Sequence, residues 1–246
     1  MANRLGFDWP QWLALIDAAT ATFVATRILE PDGWSIGLFV PPARAARELL
    51  LGIGFAIVII GICDVLLMLA GVRHSYRGAF PWLELAMVFV PAVFHEEIVF
   101  RGYLFQKLRS MSRIAAFAFS ALFFAVLHMR NHGITALAVV NIALAGILLA
   151  LAYERYERLW FPIGIHLVWN ILSGPILGYP VSGYVSRTTL LATTVRGPAW
   201  ITGGSFGMEG SVFIAVVEIA AIVWLGRAGP DTRQRDAQSG RMFPPP

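Results

Sequence analysis

Apolar residues along this chain gather in runs near the length of a membrane span, separated by short polar or charged connections. A helix of ~20 apolar residues crosses the hydrocarbon core of a bilayer. The clearest runs are Leu49–Ala70, Trp82–Phe105, Ile114–Met129, Ile134–Tyr153, Trp160–Leu177 and Val212–Leu225. A seventh, Trp12–Leu29, is diluted by Asp17, Arg27 and several Thr and Ala. The pattern predicts an all-α protein, a polytopic transmembrane helix bundle of six to eight spans. The first run lacks the compact Leu-rich core of a cleaved signal peptide. It reads as a span or as an interfacial helix, with Trp9, Trp12 and Trp34 at headgroup level.

Composition agrees. The 246 residues are 57% hydrophobic and 14% charged, against about 25% charged in ordinary soluble domains, so too little polar surface exists to face water all round. Cys63 is the single cysteine and lies in an apolar run, which rules out a disulfide framework and suits packing. The formal charge of +4 comes from Lys and Arg in short loops, which is a topology signal; no nucleic-acid partner is expected. With seven spans, the loops Glu30–Arg47, Gln106–Arg113 and Glu154–Leu159 and the tail from Arg227 carry eleven Lys and Arg. The N-terminus and the loops Gly71–Phe80, Arg130–Gly133 and Tyr179–Glu209 carry six. Positive charge concentrates on the cytoplasmic side, which predicts a multi-pass protein of the plasma or inner membrane with a cytoplasmic C-terminus.

Pro41-Pro42 divides an N-terminal region, 1–42, from a membrane domain, 43–229. A polar tail, 230–246, ends in three prolines and is expected to be disordered. Residues 178–210, rich in Gly, Pro, Ser and Thr, form a connection long enough to imply a functional loop or an ordered cap.

Polar groups inside the runs narrow the chemistry. His95-Glu96-Glu97-Ile98-Val99-Phe100-Arg101 places two carboxylates and a guanidinium in a would-be span. There each charge costs about 2.5–3.5 kcal/mol on insertion scales. Glu97 and Arg101 are four apart and can pair on one helix face, as a bracing clamp. Glu96 points about 100° away; a carboxylate without a counter-charge there suits a general base or a proton carrier. His128 ends the next run, and His166 and Asn170 share a face of a third. Each alone could be interhelical glue, but polar groups in spans face a bundle interior or a cavity, so one converging site is the simpler reading. His95 could tune the carboxylates, Asn141 reads as glue, and His74 and His132 as solvated loop residues. Asp64 and Glu84 lack a matching set of partners. His95-Glu96 opens a His-Glu-x-x-His motif, but Val99 stands where the second His belongs. Walker-type loops are absent.

Three segments in order, Glu96-Glu97-x-x-x-Arg101, Phe124-x-x-x-His128 and His166-x-x-x-Asn170, together with Phe100-Arg101-Gly102, resemble the CPBP family. That family comprises CAAX-processing endopeptidases, bacteriocin-processing relatives and abortive-infection-like membrane proteins. The likeness covers roughly Pro81 to Ser173. It implies an intramembrane endopeptidase acting on a peptide or protein substrate at the lipid bilayer. By that resemblance Glu96 activates water, His128 helps to hold it, and His166 and Asn170 donate to the oxyanion. Glu97 and Arg101 orient the site. No spacing resembles a zinc-binding helix and Asn170 suits an oxyanion donor better than a ligand, which favours a metal-free glutamate mechanism with no cofactor; zinc, if bound, would take Glu96, His128 and His166. Two other classes share the buried carboxylate: a proton-coupled transporter, against which stands the lack of an internal repeat, and a non-catalytic immunity or scaffold protein.

Overall fold

A computed structural model describes residues 9–30 and 35–229; the expectations for Trp34 and for the 230–246 tail lie outside the described residues, as does the side chain of Trp9. Every predicted apolar run is helical. The helices are α1 (Trp9–Leu29), α2 (Pro42–Leu69), α3 (Trp82–Glu84), α4 (Val90–Arg101), α5 (Tyr103–Met111), α6 (Arg113–His128), α7 (Ala136–Tyr156), α8 (Trp160–Ile171), α9 (Ala199–Thr202) and α10 (Val212–Ala228). Three stretches, Pro10–Leu29, Pro42–Leu69 and Ala136–Tyr156, are long and apolar enough to cross a membrane alone, and Arg113–His128 is a shorter apolar helix.

Two departures from the predicted runs have local causes. The run Trp82–Phe105 is not one helix. A π-helical turn, Leu85–Phe89, joins α3 to α4, and Pro91 follows it at the start of α4. Proline removes an N–H and crowds the carbonyl one turn back, a mismatch that a wider turn absorbs. The same pairing recurs after α8, where the π-helical turn Leu172–Ile176 contains Pro175. At Gly102 the helix breaks outright: a Cβ there would lie 2.0 Å from Ile98 O, so only glycine lets the chain turn sharply from α4 into α5. The all-α expectation needs one correction as well. Strands β1 (Arg73–Tyr76) and β2 (Leu191–Thr194) pair antiparallel, with His74 opposite Thr193.

Small residues bring the helices close. Gly52 on α2 and Gly164 on α8 face each other; added Cβ atoms would stand 2.3 Å from Phe161 O and 2.5 Å from Leu49 O. Near this crossing the Arg158 guanidinium holds the buried Glu48 carboxylate at both oxygens, at 2.6–3.0 Å. Gly146 on α7 meets α6 in the same way, and its carbonyl accepts from Ser120 Oγ at 2.8 Å. Ser112, Thr135 and Ser211 cap α6, α7 and α10 through their side-chain oxygens. The core that results runs between α2, α7, α8 and α10, with a second cluster around Phe105, Tyr153 and Ile163.

The 178–210 connection carries β2, α9 and two short 3-10 turns, Gly204–Phe206 and Met208–Gly210. His74 is not solvated, contrary to expectation. It contacts Asp64 Oδ1 at 3.0 Å through Nε2 and Thr193 Oγ1 at 3.0 Å through Nδ1. The Tyr179 hydroxyl donates to the same Asp64 oxygen at 2.7 Å. Glu84 likewise has partners, accepting from the Tyr184 hydroxyl at 2.6 Å and the Arg187 N–H at 3.3 Å. Neither set was legible beforehand, because Tyr179, Tyr184 and Arg187 stand a hundred or more positions from the acids they meet, and Thr193 reaches His74 across the ribbon.

Candidate active site

The two carboxylates of α4 occupy different environments. Glu97 is fully buried and accepts from Arg101 Nη1 at 3.0 Å, one helical turn on. Its same oxygen, Oε1, receives His166 Nδ1 at 2.8 Å from α8. Arg101, also fully buried, sends Nη2 to Gly146 O at 3.3 Å, and its guanidinium lies 4.9 Å from the centre of the Phe124 ring. One ionic cluster therefore ties α4, α6, α7 and α8 together.

Glu96 points instead into a cavity of about 460 Å³, whose walls include His128, His166, Asn170 and Glu209. Its Oε2 is buried without a hydrogen-bond partner among the described residues and lies 3.7 Å from His166 Nε2. The structure thus brings Glu96, His128, His166 and Asn170 to one cavity and sets Glu97 and Arg101 behind its wall. Phe124 is the shared spacer, its ring 4.7 Å from that of His128 and 6.0 Å from that of His166.

Hydrogen-bond partners fix where the ring protons sit. The Phe124 carbonyl can only accept, so His128 Nδ1 donates to it, at 2.7 Å, and in a neutral ring Nε2 carries the lone pair. Glu97 already accepts from Arg101, so His166 Nδ1 donates to it as well, and Nε2 is the ring atom turned toward Glu96. A carboxylate and two imidazole nitrogens around one cavity can hold a water molecule and take its proton. The Asn170 amide adds a donor.

Several participants were not anticipated. Glu209 is a third carboxylate on the wall, reached by the 178–210 connection, and Val181, Ser182, Gly183 and Tyr184 form part of the same wall. Asn141, expected as glue, donates to Glu209 O at 2.7 Å and Ser211 O at 2.9 Å. His95 is half-buried and is not part of the wall, while the exposed His132 is. No periodicity marks Glu209: it stands alone between a Gly-rich stretch and the last apolar run.

A helical membrane protein with a carboxylate and imidazoles at an internal cavity has the parts of an intramembrane hydrolase. Residues 78–172 match the family model described as type II CAAX prenyl endopeptidase Rce1-like. The matched segment runs from just before α3 to the end of α8 and contains all three motifs. No curated protein and no solved structure matches the chain.

Proposed function

We propose that this protein is an intramembrane endopeptidase in which Glu96 is the general base that activates water against a peptide bond of a membrane-associated or CAAX-like substrate. The observation that carries this reading is the Glu96 carboxylate, unpartnered at Oε2 yet facing His128, His166 and Asn170 across one cavity. A base must reach the proton it takes, and His128 Nε2, with its lone pair exposed, can hold the same water. The water oxygen attacks the carbonyl carbon while its proton passes to Glu96; the protonated Glu96 then returns that proton to the leaving amine. Negative charge builds on the carbonyl oxygen, where fixed donors lower the barrier. Asn170 offers such a donor in every state. His166 offers one at Nε2 only when its ring carries both protons, because Nδ1 is given to Glu97.

Seven spans fit the chain: α1, α2, α3 with α4, α6, α7, α8 and α10. The amphipathic α5 then lies at the surface where α4 ends. The charge distribution supports a cytoplasmic end for α10. His128, His132 and the 181–184 segment then open the cavity toward the opposite face. The donor set supports the metal-free reading: among the described residues no three His, Cys, Asp or Glu side chains are grouped to hold a metal ion. Purified protein should therefore cleave a peptide equally well before and after exhaustive chelation. Activity lost on chelation and restored by zinc alone would refute the metal-free mechanism.

A further inference from the structure

Glu209 lies outside all three motifs, in the short turn Met208–Gly210, and is only 5% exposed. Each of its contacts is a donor. Oε1 accepts from Trp169 Nε1 at 2.9 Å; Oε2 accepts from Ser182 Oγ at 2.9 Å and from the Ser182 backbone N–H. A carboxylate accepts at both oxygens, whereas an amide of the same shape must turn an NH2 toward one of these donors.

Both ends of this arrangement matter to the cavity. Ser182 adopts a left-handed φ of 47°, a conformation that costs a non-glycine residue energy and persists only where surroundings impose it. Glu209 holds its N–H from one side, and Asn131 Nδ2 holds its carbonyl at 2.9 Å from the other. The next residue, Gly183, sits so close to the α6–α7 connection that a Cβ would lie 2.1 Å from His132 O. Residues 181–184 form a tight turn across the cavity wall, closed by paired Val181–Tyr184 backbone bonds of 2.8 Å. At the other end Trp169 precedes Asn170 and follows His166 by three positions on α8, so a bond to its indole resists rotation of that helix about its axis.

We propose that Glu209 is a positioning residue: it latches the 181–184 turn onto the cavity and fixes the rotation of α8 that aims His166 and Asn170 inward. The effect on rate rests on the endopeptidase reading; the latch itself rests on the contacts alone. The test uses the full chain in nanodiscs, wild type against Glu209→Gln, with hydrogen exchange and peptide-cleavage kinetics read together. Glu209→Gln should speed amide exchange at 182–184 roughly tenfold or more, the scale of losing a hydrogen bond to a charged acceptor, while exchange in α2 and α7 stays as in wild type. It should also lower kcat about tenfold with KM little changed, because the donors for the transition state lose their aim. Unchanged exchange at 182–184, or exchange accelerated uniformly over the molecule, would overturn the latch. A loosened turn with wild-type kcat would overturn the positioning role. Should no variant cleave any peptide, wild type included, the endopeptidase reading fails and the exchange arm still decides the latch. If Glu209→Gln does not fold, Ser182→Ala and Trp169→Phe each remove one bond; each should loosen the turn by a smaller factor, and no change in either refutes the proposal.

Discussion

Removing the Arg101 guanidinium leaves the Glu97 carboxylate fully buried with His166 as its remaining donor, and frees the Gly146 carbonyl of one of its two partners. Breaking a buried ion pair by deleting one partner costs about 3–5 kcal/mol. Arg101→Ala should lower stability by that amount in denaturant titration of the detergent-solubilised chain. Glu96→Gln, which removes only the longer 3.7 Å approach to His166 Nε2, should change stability much less. This separation of neighbouring carboxylates was legible in part. The spacing of Glu97 and Arg101 predicts their pairing, since a helix places residues four apart on one face. The third member, His166, was not legible as a partner of Glu97, because a sequence does not state how α8 is rotated against α4. Ring protonation depends on that rotation, and with it the donor state of His166.

At the scale of elements, α2 and α8 meet through glycines that face each other, and neighbouring glycines on α2 provide a control. Gly52→Val should force the helices apart and cost about 1–3 kcal/mol, the usual penalty of overpacking, read as a lower unfolding midpoint. Gly54→Ala on the same helix meets nothing within 4 Å and should be neutral or slightly stabilising, since alanine favours a helix interior. A matching loss in both variants would contradict the close α2–α8 crossing as the cause. Apolar periodicity located every long helix but could not show where one breaks. The interruption at Gly102 and the π-helical turns beside Pro91 and Pro175 depend on backbone packing within a run that reads as continuous. The β1–β2 pairing escaped for another reason: its strands are four residues each and sit in loops more than a hundred residues apart.

For the whole molecule, the three motifs lie on α4, α6 and α8, and no two of them adjoin in sequence. The fold supplies what the motifs lack, a cavity with walls from the 178–210 connection and Glu209. That connection was legible as a cap or functional loop from its length and composition, whereas the seat of Glu209 in the cavity depends on how the loop folds back. With the orientation proposed from the Lys and Arg distribution, cleavage is expected near the non-cytoplasmic ends of substrate spans. The most direct measurement compares protein termini in membranes containing wild-type protein or Glu96→Gln at equal abundance. New termini that arise only with wild type, and that map to the non-cytoplasmic side of membrane-associated proteins, are the predicted result. Identical termini in the two membranes, or fragments that persist with Glu96→Gln, would contradict Glu96 as the base of an intramembrane endopeptidase.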